Sequence, residues 1–151
     1  MALIEKSNIP KFLPQAAPFV MVDALMEQDE TKSISSFTPG ANHFFANDSK
    51  FKVAGMLENI AQTAALRTGY SFSQMKQEDA EQKKPPVGFI GSVKKMKLSF
   101  LPDASKELKT TITVKHTIGQ ISVIEGVVEQ GTEALKCEMN IFLQEENGGE
   151  L

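Results

Sequence analysis

Hydrophobic positions along this chain change their period twice. Residues 9–19 hold three prolines, Pro10, Pro14 and Pro18, which exclude a continuous helix and predict an extended or turning strip. Val20 to Met26 is a mostly apolar run that predicts a strand. Glu27 to Lys32 is a polar turn, and Ser33 to Thr38 alternates up to Pro39-Gly40, so the two runs predict a hairpin. The pattern then becomes helical. Val53, Leu57, Ile60, Ala61, Ala64, Ala65 and Thr68 recur on one face of an α-helix, with Asp48 or Ser49 as the expected cap and Gly69 as the expected stop. That face is rich in alanine, so another layer can approach closely.

Residues 73–86 are polar and are read as a mobile loop with a frayed helical turn. From Val87 alternation takes over, with strands expected over Val87–Phe100, Leu108–Thr117, Ile121–Glu129 and Ala134–Leu143, separated by turns at residues 101–105, at Gly119 and at Gly131-Thr132. Regular spacing of these turns predicts an antiparallel four-stranded meander. Hairpin, one long helix and meander make an α+β arrangement with the helix on one face of a sheet. A single domain is expected over residues 1–151, with its core at about 9–144 and a disordered tail at 145–151.

Composition narrows the function classes. Of 151 residues, 41% are hydrophobic and 23% charged, ordinary for a globular chain. A net charge of −3 and a pI near 5.4 argue against a global electrostatic hold on nucleic acid. One cysteine, Cys137, and two separated histidines, His43 and His116, offer neither a disulfide framework nor a metal ligand set, so no metal and no cofactor are expected. The first residues lack a basic segment followed by a long apolar core, and no window nears eighteen apolar residues, so a cytoplasmic chain without a membrane span is expected. Cys137 alternates with apolar neighbours and is read as core, and His116 as a strand-surface residue.

Three stretches, taken in order, resemble one family. Leu13-Pro14-Gln15-Ala16-Ala17-Pro18-Phe19-Val20-Met21-Val22-Asp23 resembles the L-P-H-x-x-P-F-x-x-V-D motif of hotdog-fold (3R)-hydroxyacyl-acyl carrier protein dehydratases. Asn42-His43-Phe44-Phe45 and then Gly55-Met56-Leu57-Glu58-Asn59-Ile60-Ala61-Gln62 resemble its G-H-F-P and P-G-x-x-x-x-E-x-x-A-Q, and Phe89-Ile90-Gly91 resembles its F-x-G strand. The likeness spans about residues 12–143. It implies a hotdog fold, in which an antiparallel sheet wraps one long central helix. Gln15 stands where the family has histidine, and Asn42 and Phe45 where it has glycine and proline. A rival alignment places Asp48, rather than His43, at the catalytic histidine position.

The resemblance implies dehydration of a β-hydroxyacyl-acyl carrier protein to the trans-2-enoyl form in fatty acid or polyene-type lipid biosynthesis. His43 of one subunit would serve as base and Glu58 of its partner as acid, because removing a Cα proton and protonating the leaving hydroxyl need two positioned groups. Glu58 has apolar helix neighbours, which favour the carboxylic acid form a proton donor needs. Backbone N–H groups at the helix start are candidate donors to the developing enolate. Gly55, Gln62, Phe89 and Gly91 are the expected substrate-binding residues, with Gln62 one turn from Glu58. The implied partners are an acyl carrier protein and a second copy in a homodimer, or a higher oligomer such as a hexamer. Arg67, Lys83, Lys84, Lys94, Lys95 and Lys97 form a basic stretch that would suit an acidic carrier. Two other readings are open: a catalytically silent acyl-carrier-binding accessory protein and a hotdog acyl thioesterase.

Overall fold

A computed structural model describes residues 1–75 and 87–144. A short 3-10 turn, Lys6–Lys11, precedes strands β1 (Ala24–Gln28) and β2 (Lys32–Phe37). A small hairpin of β3 (Ala46–Asn47) and β4 (Lys50–Phe51) leads into helix α1 (Val53–Ser73). Strands β5 (Val87–Leu98), β6 (Leu108–Ile118), β7 (Ile121–Gln130) and β8 (Thr132–Gln144) follow. Six strands form one antiparallel sheet in the order β1-β2-β6-β7-β8-β5, and α1 packs on it. This is the expected hotdog arrangement.

The expected meander holds for β6-β7-β8 but not for β5. That strand pairs with β8 along the far edge, Phe89 opposite Phe142 and Leu98 opposite Leu135, while β6 pairs with β2. Residues 99–107 therefore carry the chain from one side of the sheet to the other. Alternation gives β5 its strand character but carries no information about its partner.

Helix α1 is sandwiched. On one side Met56, Ile60 and Ala64 face the sheet residues Leu108, Ile112, Ile124, Val128, Cys137 and Met139. On the other, Leu66 meets a second apolar cluster made by Ile4, Ile9, Leu13, Val22 and Leu25. Two corrections follow from this packing. The helix does not stop at Gly69, which is buried inside it where a Cβ would lie 3.1 Å from Phe12 Cδ1. Gly69 thus serves close packing of the N-terminal segment. Nor do Asp48 or Ser49 cap the helix. Lys52 occupies the cap position without a side-chain hydrogen bond, while Asp48 and Ser49 turn the β3–β4 hairpin at φ of 53° and 64°.

The N-terminal strip is fastened to the helix by buried amides. Gln62 Oε1 accepts the Met21 N–H at 2.6 Å and Gln62 Nε2 donates to Phe19 O at 2.8 Å. Asn59 Nδ2 donates to Met21 O at 2.7 Å, and Thr110 Oγ1 donates to Asn59 Oδ1. Thr63 Oγ1 gives its proton to Asn59 O, so Ser35 is the donor in the 2.7 Å Ser35–Thr63 bond. The polar groups in this layer are thereby satisfied, as burial demands.

Arg67 is a further correction, because its guanidinium is committed to the β1–β2 turn rather than to an open basic face. It donates to Asp29 O, Glu30 O, Lys32 O and Ser33 Oγ. Arg67→Met should cost on the order of 2 kcal/mol in urea unfolding, the scale of hydrogen bonds from a charged donor. An unchanged midpoint would mean that the turn holds itself. The expected loop at 73–86 begins inside α1, and its remainder from residue 76 lies outside the described residues, as do Lys83, Lys84 and the expected tail. Among the described residues, no helix is long and apolar enough to cross a membrane, and no group of three or more His, Cys, Asp or Glu side chains is gathered for a metal ion.

Candidate active site

Two cavities meet at Glu58. One, of about 470 Å³, runs along α1 between Glu58, Ala61, Gln62 and Ala65 on the helix, Gly88, Phe89 and Ile90 on β5, and Pro14 and Gln15 on the N-terminal strip. Small helix residues leave this space because alanine side chains do not fill the gap to β5. The second, of about 340 Å³, is lined by Gln15, Phe19, Met21, Phe44, Phe45 and Glu58. Glu58 is half-buried and is the one charged side chain among these lining residues. Gln62 Nε2 donates to its Oε2 at 3.3 Å, so the amide that anchors the strip also steadies the carboxylate.

His43 stands off this space. Its ring stacks on Phe44 at 4.8 Å and on Phe45 at 6.1 Å, and the edges of Phe37 and Phe51 close its other sides. Phe44 and Phe45 line the cavity that Glu58 shares, whereas His43 contacts that aromatic pair and is not itself on the cavity wall. Its Nδ1 accepts the Phe45 N–H at 3.0 Å, which places the proton of the neutral ring on Nε2. Nε2 is covered and has no hydrogen-bond partner among the described residues. Burial pushes the His43 pKa below the usual histidine value, favouring the neutral form.

The other expected site residues divide. Gln62 and Phe89 line the helix-side cavity with Glu58. Gly55 and Gly91 are on neither wall. Gly55 is buried beneath its own chain's Phe51, where a Cβ would fall 2.3 Å from the ring, so its role is to admit that ring against the first helical turn. Gly91 sits at a register shift in β5 opposite Asn140, beside the cavity rather than on it. Asp48 is exposed in the β3–β4 turn, away from both cavities. Sequence reasoning did not assign Gln15, Ala61, Ala65 and Ile90 to the walls. Gln15 carried a signal as the departure from histidine, and the alanines as the small face of the helix.

Solved structures share this shape. The dehydratase heterocomplex ApeI:P from Xenorhabdus doucetiae is similar at a TM-score of 0.76 and 14% identity, covering 94% of this chain and 93% of that one. An uncharacterized protein from Pyrococcus horikoshii is similar at 0.65 and 9% identity, covering 90% and 93%. A hypothetical thioesterase with coenzyme A from Streptococcus pneumoniae is similar at 0.58 and 8% identity, covering 82% and 90%. At these identities the likeness is one of fold. A search of the curated proteins found no match. A model of the ApeP-like family, described as ApeP dehydratase, matches residues 7–148, nearly the whole chain that folds around Glu58, and the protein therefore belongs to the ApeP-like dehydratase family.

Proposed function

We propose that this protein removes water from a β-hydroxyacyl thioester carried on an acyl carrier protein, giving the trans-2-enoyl thioester. The observation that carries the reading is the lone carboxyl, Glu58, at the junction of two largely apolar cavities. The thioester end would sit at Glu58, with the acyl chain lying along Ala61, Ala65, Phe89 and Ile90. Glu58 would protonate the leaving hydroxyl. His43 carries the proton of its neutral ring on the covered Nε2, so proton abstraction at Nε2 needs the other tautomer and release of the Phe45 N–H from Nδ1.

Two partners belong to this proposal. Edge strand β5 exposes Phe89 and Ile90, which suits pairing with a second hotdog chain, either a copy or a companion dehydratase of the kind named for the Xenorhabdus heterocomplex. Lys94, Lys95 and Lys97 are exposed further along the same strand on a bulge where Lys95 has φ of 53°, and their charge suits an acidic carrier. A cytoplasmic location is part of the same proposal.

Incubation with a β-hydroxyacyl carrier thioester should produce a species lighter by one water, with the thioester intact by mass spectrometry. A hotdog thioesterase is the second reading, supported by a carboxylate whose cavities are lined by no imidazole among the described residues. Release of free carrier thiol would select it. Binding of the carrier without either product would select the accessory reading.

The pH dependence separates the roles of His43 and Asp48. If neutral His43 supports turnover, the acid limb of the rate profile should lie below the usual histidine pKa of about 6.5, since burial disfavours the protonated ring. His43→Ala should abolish that limb, while Asp48→Asn leaves the profile unchanged. The reverse pattern would assign the role to Asp48.

A further inference from the structure

The helix-side cavity is larger than the reacting atoms need. Dehydration changes only Cα and Cβ of the acyl chain, whereas a volume of about 470 Å³ has room for roughly fifteen non-hydrogen atoms at ~30 Å³ each. Its polarity is uneven. Gln15 and Glu58 also border the second cavity and so mark the junction. Of the residues that line the helix-side cavity alone, every one but Gln62 is apolar, and the Gln62 amide is engaged by Phe19 O, the Met21 N–H and Glu58. The space exists because both walls carry little side chain. On α1 the face that begins at Glu58 continues with Ala61 and Ala65, and on β5 Gly88, directly opposite Leu143, adds none. Ala61, Ala65 and Gly88 are half-buried and Ile90 is exposed, so a ligand in the cavity reaches them.

Position along the helix decides which part of a chain each alanine meets. Ala61 and Ala65 follow Glu58 by three and seven residues, or about 4.5 and 10.5 Å of axial rise at ~1.5 Å per residue. An extended chain advances roughly 1.2 Å per bond, so one whose β-carbon lies at Glu58 passes Ala65 about eight carbons further out. We propose, resting on the dehydratase reading above, that this cavity selects a long apolar acyl chain and that Ala65 sets the length it accepts. Short chains end before Ala65 and leave that part of the cavity to water. Longer chains bury methylene groups there, each worth roughly fourfold in binding.

The test measures kcat/KM for dehydration of 3-hydroxybutanoyl, 3-hydroxyoctanoyl and 3-hydroxydodecanoyl pantetheine thioesters. In the wild type the dodecanoyl ester should exceed the butanoyl ester by at least about tenfold, because several more methylene groups are buried. Ala65→Leu should lower the dodecanoyl value by about tenfold or more relative to the octanoyl ester, which ends short of that position. Ile90 lines the β5 wall of the same cavity, so adding Ile90→Ala to Ala65→Leu returns volume and should recover the ratio. Ile90→Trp fills the space from the edge strand, independently of helix packing, and should lower the ratio by itself. Equal kcat/KM for the three esters in the wild type overturns the assignment. An equal loss on all chain lengths in both filling variants also overturns it and makes these walls structural. A wild type that dehydrates none of the esters overturns the dehydratase reading and the role of Ala65 with it.

Discussion

Glu58→Gln is expected to reduce dehydration of a β-hydroxyacyl carrier thioester by about two to four orders of magnitude, the usual contribution of a positioned acid–base group. Glutamine keeps the shape of the side chain, and its carbonyl oxygen can still accept the hydrogen bond that Gln62 gives to Glu58. Folding and assembly should therefore be unaffected in melting and size-exclusion measurements. What is lost is the carboxylic proton. No other charged side chain borders either cavity among the described residues, so no neighbour is placed to replace it. Turnover within a factor of a few of the wild type, with the fold intact, would remove Glu58 from the chemistry and with it the dehydratase reading of this site.

The largest expected effect on stability is at Ile60. Its side chain is fully buried between α1 and the sheet, packed against Gly126 of β7 so closely that a Cβ on the glycine would lie 2.6 Å from Ile60 Cγ2. Ile60→Asp would bury a carboxylate among Met56, Ala64, Ile124 and Met139, with no cation in that cluster. The cost should exceed about 4 kcal/mol, a large share of a domain's total of roughly 5–15 kcal/mol, and soluble protein should be scarce. Leu57→Asp, which sequence periodicity treats as equivalent, should be milder, because Leu57 is only half-buried and water can reach the charge. Equal melting of Ile60→Asp and wild type would mean that this helix face is not packed on the sheet.

That contrast between two positions on one stripe shows where sequence reading ends. The helix was legible because seven residues over four turns keep one period, and the strands because alternation is a local property of extended chain. The α+β class and the resemblance to hotdog dehydratases rest on such local patterns and motif order. Strand order does not. β5 lies next to β8 rather than β6 because pairing depends on which edges remain free once the chain has folded. The helix end at Gly69 misled for a related reason. Gly69 looks like a local stop, yet it is spent on close approach of Phe12, a contact 57 residues away in the chain. Gly126 carried no signal at all, since its reason is the Ile60 side chain across the core.

The site divides in the same way. Glu58, Gln62 and Phe89 could be read from the chain because their motif spacing places them on one helix face and one strand. His43 matched its motif as a letter, but only the folded chain determines that its Nδ1 is taken by Phe45, that its Nε2 is covered and that its ring stacks on two phenylalanines that line the cavity. Gln15 is the converse case. In sequence it is a missing histidine, whereas in the structure it is, among the described residues, the one besides Glu58 that borders both cavities. Residue type and spacing determine what chemistry a chain can offer. Which atoms remain unpaired is decided only by packing, because hydrogen-bond partners are assigned when distant segments meet.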